Sequence, residues 1–99
     1  MEKIIRVVQM TFRKDQIDQF LNQFQTSKER IRAFEGCTHL ELWRDTQNPC
    51  VFYTYSHWDS EAHLNLYRNS DLFKEIWGQT KILFAEKPLA FSVSKEIEL

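Results

Sequence analysis

Apolar positions along this chain alternate between two periods, and each change of period marks an element. Residues 4–12 (IIRVVQMTF) are rich in β-branched and aromatic types and read as a strand. Apolar residues then fall at Ile17, Phe20, Leu21, Phe24 and Ile31, the three- and four-residue spacing of a helix with one buried stripe. Asp15 is placed to cap the start of that helix, and Gly36, after Glu35, suits a left-handed stop. Residues 37–44 (CTHLELWR) and 50–58 (CVFYTYSHW) are strand-like, and the DTQNP segment between them fits a hairpin loop that Pro49 ends. Asp59 or Ser60 starts a short helix; Asn69-Ser70-Asp71 breaks and recaps it, and a further helix runs to about Phe84. Lys87-Pro88 closes that helix, and residues 89–95 (LAFSVSK) alternate as a last strand with Leu89, Phe91 and Val93 on one side.

The element order is β-α-β-β-α-β. Right-handed crossovers fold that order into an α+β, ferredoxin-like four-stranded antiparallel sheet with its helices on one face. The other face is then uncovered, yet neither strand parity is purely polar. Thr38, Leu40, Leu42 and Arg44 oppose Cys37, His39, Glu41 and Trp43 on the second strand. On the third, Phe52, Thr54, Ser56 and Trp58 oppose Val51, Tyr53, Tyr55 and His57. An aromatic-rich bare face predicts a homodimer with the two sheets packed face to face.

Ninety-nine residues, without linker or repeat, make one domain over 1–99. Basic and acidic residues are interleaved to a formal charge of −1, so nucleic-acid binding has no electrostatic footprint. Apolar runs are far shorter than a membrane span, and the N-terminus lacks the pattern of a signal peptide. Cys37 and Cys50 flank the hairpin turn and match neither a disulfide framework nor a metal motif; two reduced thiols point to the cytoplasm.

Chemistry concentrates between Trp58 and Trp77 (WDSEAHLNLYRNSDLFKEIW). Large, partly polar side chains on the helical cover of so small a domain suggest a lined cavity rather than an aliphatic core. His63 and Tyr67, four apart on one helix, are the candidate catalytic pair: an imidazole with the pKa range of a general base, and a hydroxyl that donates to a substrate oxygen. The plainer readings are a half-exposed helix histidine and a core tyrosine. Trp58, Leu64, Phe73 and Trp77 are the candidate substrate walls. His39 and His57 share strand parity with Glu41 and Tyr55 and suit a structural place at the interface. The three histidines have no ligand spacing, so no metal is expected, and no nucleophile elbow or phosphate loop exists.

Gly36-Cys37, Glu41-Leu42-Trp43-Arg44-Asp45, Trp58-Asp59-Ser60-Glu61 and Ser70-Asp71-Leu72-Phe73 follow the opening strand and helix in an order that resembles the antibiotic biosynthesis monooxygenase (ABM) family. The resemblance runs from about residue 3 to 95. It implies a dimeric α+β barrel with a pocket in each subunit between sheet and helices. The activities it implies are cofactor-free oxidation of quinols and anthrone-like aromatics, haem degradation, or processing of small signalling molecules. Many members carry histidines where this chain has Tyr67 and Leu72. The Asn69–Glu75 stretch resembles the haem-degrading branch, but that branch's axial histidine falls at Trp77, its tryptophan at Tyr67 and its asparagine near Val8. Tryptophan has no lone pair for iron, so no cofactor is expected. The resulting expectation is a cofactor-independent monooxygenase acting on a small quinol-like or polyketide-like aromatic. The alternatives are a non-catalytic ligand-binding or sensor barrel, and an isomerase on a small oxygenated metabolite.

Overall fold

The computed structural model describes residues 3–99; residues 1–2 of the domain read from the sequence lie outside the described part. Four strands, β1 (Ile4–Thr11), β2 (Cys37–Arg44), β3 (Val51–Trp58) and β4 (Leu89–Val93), pair antiparallel in the order β2-β3-β1-β4. Helices α1 (Ile17–Arg32), α2 (Glu61–Arg68) and α3 (Asp71–Lys81) complete the ferredoxin-like α+β fold. The second helical connection is in two pieces because a serine caps each start. Ser60 Oγ accepts the His63 N–H at 3.2 Å, and Ser70 Oγ accepts the Phe73 N–H at 3.1 Å. Ser70 also donates to the Tyr67 carbonyl at 2.6 Å, so one hydroxyl both closes α2 and opens α3.

Local details depart from the sequence pattern. Asp15 does not cap α1: it sits inside a 3-10 turn, Lys14–Gln16, and the helix begins with no side-chain cap. Gly36 is left-handed, at φ +88°, but it lies beyond the helix stop at Ala33 and shapes the entry to β2 instead. α3 ends at Lys81 rather than near Phe84, because the chain turns there to bring Phe84 into a bridge with Phe12. β4 stops at Val93.

A β-bulge between Cys37 and His39 corrects the strand parity. It leaves His39 opposite His57 but turns Cys37 to the helix side, where it packs with Ile31, Trp58, Leu64 and Tyr67. The two thiols are not neighbours. Cys37 pairs with Trp58 at one end of the β2–β3 hairpin, and Cys50 lies at the turn end, roughly 20 Å away along the strand.

The core is divided. Met10, Phe12, Ile17, Phe20, Phe52 and Leu83 form one cluster, and Ile31, Cys37, Trp58, Leu64 and Tyr67 the other, with Phe24 touching both. What separates them is the site.

Candidate ligand-binding site

A cavity of about 340 Å³ lies between the two clusters, with the sheet as floor and the helices as roof. Its size falls at the lower end of the range of small-molecule sites, ~300–1,000 Å³. It exists because small residues occupy positions that would otherwise carry large apolar ones. The buried stripe of α1 runs Ile17, Phe20, Phe24, Ser27, Ile31, and Ser27 interrupts it while only 2% exposed. Thr54, Ser56 and Ala90 do the same on the floor, and Thr80 does so on α3. Three of their hydroxyls are taken up by the protein itself. Ser27 donates to the Gln23 carbonyl at 3.0 Å and Thr80 to the Ile76 carbonyl at 2.7 Å, while Ser56 Oγ accepts the Trp58 indole N–H at 3.0 Å.

The walls are an aromatic series. Trp58 stacks on Tyr67 at 5.0 Å, Tyr67 meets Phe73 edge-on at 5.2 Å, and Phe73 stacks on Trp77 at 5.8 Å. Among the described residues the Tyr67 hydroxyl has no protein hydrogen-bond partner, and no fully buried polar side-chain atom lacks one, so this hydroxyl opens onto the cavity. Burial, with a smaller push from Cys37, raises its pKa far above the usual tyrosine value. Tyr67 is therefore a neutral donor at any physiological pH, and not a base. Arg6 and Arg68 also line the cavity, whereas no Asp, Glu, His or Lys among the described residues does.

Trp58, Leu64, Tyr67, Phe73 and Trp77 are thus brought together as their spacing implies. His63 is not with them. It precedes Tyr67 by one helical turn, but its ring lies over Gly36, and its Nδ1 sits 2.8 Å from Ser60 Oγ at the helix start. The sequence reading also missed Ser27, Thr54, Thr80 and Arg6. A signal existed for the first, a serine in register with an otherwise apolar stripe, and for the last, an arginine in a strand of apolar neighbours.

His39 and His57 lie on the opposite, uncovered face. The His39 imidazole is hydrogen-bonded to the Glu41 carboxylate, which accepts the Trp43 indole N–H at 2.6 Å. His57 Nε2 and the Tyr55 hydroxyl are 2.7 Å apart, and Tyr55 stacks on Trp43 at 4.4 Å. Partial burial first, then the charges of His39, Lys95 and Lys3, lower the His57 pKa; Glu41 opposes them. A histidine with a depressed native pKa binds fewer protons folded than unfolded. Its stability contribution is complete above the unfolded value of about 6.5 and is lost as the pH falls below it. We expect Tm to fall between pH 7.5 and 5.5, and His57→Gln to flatten that slope in thermal melts; equal slopes would contradict the assignment.

Haem does not fit this site. Trp77 stands where the family resemblance calls for the axial ligand, and among the described residues no histidine or cysteine lines the cavity. Among the described residues no three His, Cys, Asp or Glu gather as metal ligands, and no helix is long and apolar enough to cross a membrane.

Many solved structures share the fold. A conserved protein from Methanosarcina mazei Go1 superposes with a TM-score of 0.90 at 22% identity, covering 97% of this chain and 95% of its own. Rv0793 from Mycobacterium tuberculosis gives 0.88 at 14% identity, with 98% of each chain covered. A structure described as an antibiotic biosynthesis monooxygenase gives 0.88 at 16% identity, covering 95% of this chain and 99% of its own. No curated protein matches the sequence. The sequence model of antibiotic biosynthesis monooxygenases matches residues 3–78, well over half of the chain. With that match and this fold, the chain belongs to the antibiotic biosynthesis monooxygenase family.

Proposed function

We propose that this chain is a cofactor-independent monooxygenase acting on a small quinol-like or polyketide-like aromatic held in the cavity. The observation that carries the reading is the aromatic wall with the free, neutral phenol hydroxyl of Tyr67. Such a site suits a flat, electron-rich substrate that itself reduces oxygen once deprotonated. Trp58, Leu64, Phe73 and Trp77 hold the ring, and Tyr67 donates to a substrate oxygen as negative charge develops there. His63 contributes by fixing the start of α2 and does not touch substrate. Because no Asp, Glu, His or Lys among the described residues lines the cavity, the proton leaves to water, favoured by the positive field of Arg6 and Arg68. For an anthrone-like substrate the balance closes without a further reductant. The methylene becomes a carbonyl, one oxygen atom stays in the product, and the other leaves as water.

The test is oxygen uptake over a panel of anthrones, naphthoquinols and hydroquinones. Uptake above autoxidation that drops about 10–100-fold in Tyr67→Phe supports the reading. A flat trace with saturable binding of the same compounds favours the second reading, a non-catalytic binding domain, which the lack of a titratable base in the cavity recommends. That same lack counts against an isomerase, which needs a group to carry the proton between two carbons.

In this reading the chain is a single domain and works as a homodimer in the cytoplasm, in keeping with its two free thiols. The dimer explains the bare sheet face. There Trp43 is 40% exposed beside the Tyr55 and His57 network, and Leu89 and Phe91, across β1 from it, are each 50% exposed. Phe91→Lys places a charge in that interface, and light scattering should change from twice the chain mass to a single chain mass. A wild-type protein of monomer mass at micromolar concentration would contradict the dimer.

A further inference from the structure

Arg6 is out of place for a strand of an apolar core. On β1 it alternates with Val8 and Met10 toward the helices, in the inward-facing row. Its Nη1 donates to Ser92 Oγ on β4 at 2.9 Å, and that is its one side-chain bond among the described residues. Among the described residues, four of its five N–H groups are thus left without a protein acceptor. Arg68, in the last turn of α2, reaches the same cavity from an exposed position. A helix C-terminus alone accounts for a cation at Arg68. It does not account for two arginines turned to one void.

No counter-charge among the described residues meets them. Neither arginine forms an ion pair among the described residues, and no carboxylate lines the cavity. The chain as a whole has a formal charge of −1, so the cavity is a local positive site in a slightly negative protein. Burial first, and then repulsion from Arg68, hold the Arg6 guanidinium below its ordinary pKa. A bound anion relieves that repulsion, and the planar guanidinium fork matches the two oxygens of a carboxylate.

We propose that the ligand of this cavity is an aromatic carboxylate, its ring against Trp58, Phe73 and Trp77 and its carboxylate held by Arg6 and Arg68. The proposal rests on the reading of this cavity as the substrate site and names the class of substrate it takes. A monoanionic carboxylate on one or two fused rings fits about 340 Å³ of largely apolar space.

Calorimetric titration with 2-naphthoate and its uncharged isostere 2-naphthamide tests it. The intact protein should bind naphthoate at least about tenfold more tightly than naphthamide. Arg6→Gln and Arg68→Gln should each weaken naphthoate by about tenfold and leave naphthamide within about twofold. Arg68 is exposed at a helix end, so its variant keeps the test sound if Arg6→Gln does not fold. Equal affinity for the two probes, or a naphthoate preference untouched by either variant, overturns the carboxylate assignment while leaving the cavity as a binding site. Binding of neither probe overturns both the assignment and the reading beneath it.

Discussion

Gly36→Ala should destabilise the fold by about 2–5 kcal/mol, a large effect for the addition of one methyl group. Two costs combine. At φ +88° any side chain meets the left-handed penalty of about 1–2 kcal/mol. A Cβ built there would also lie 2.4 Å from both Cβ and Cγ of His63. His63 cannot swing aside from its own Cβ, so the loop and the start of α2 must part, at a further ~1–3 kcal/mol. The Asp59 N–H donates to the Gly36 carbonyl at 2.8 Å, which ties the same two segments together and would be strained with them. Urea unfolding measures the loss. In the His63→Ala background part of the penalty should remain, since alanine keeps the Cβ that causes the closest overlap. A loss under about 1 kcal/mol would mean that the close approach of Gly36 and His63 is not a feature of the folded protein.

Trp58→Ala should cost about 3–5 kcal/mol, near the limit of what a small domain survives. Trp58 is 1% exposed, ends β3, and stands at the junction of the second core cluster and the cavity. Its removal opens the cavity further, takes away the stacking partner of Tyr67 and leaves the Ser56 hydroxyl without its indole donor. Trp58→Phe keeps much of the ring and should lose well under half as much. A ligand that needs the wall should bind both variants more weakly than wild type, whereas Phe12→Ala, in the other cluster and off the cavity, should destabilise without changing affinity at temperatures where it stays folded. Equal weakening by Phe12→Ala would show that Trp58 acts only through stability.

Much of this architecture was legible because it rests on periodicity. The stripe from Ile17 to Ile31, the alternation in the last strand and the Asn69-Ser70-Asp71 break each state a local geometry that the structure adopts. That Trp58, Leu64, Tyr67, Phe73 and Trp77 line one cavity was legible for the same reason. The bulge was not. It displaces one residue, Cys37, to the other face without changing the types of its neighbours, so parity counting assigns it wrongly. His63 was misplaced for a related reason: residues four apart share a helical face only to within a fraction of a turn. Here that fraction is decided by a tertiary contact with Gly36, 27 residues earlier. The cavity itself depends on what is missing, the bulk that Ser27, Thr54 and Thr80 do not supply. Small hydroxyl residues are common on surfaces, and only the folded arrangement shows that these face one another across a void.

The central claim, that this cavity is a seat of oxygenation, is tested most directly by isotope. An anthrone-type substrate should be turned over by the pure, metal-chelator-treated protein under 18O2, and the product analysed by mass spectrometry. The account predicts one labelled oxygen atom per product molecule, the second atom in water, and a rate that falls sharply in Tyr67→Phe. Label arriving only from H218O, or incorporation at the same rate in Tyr67→Phe as in wild type, would contradict it.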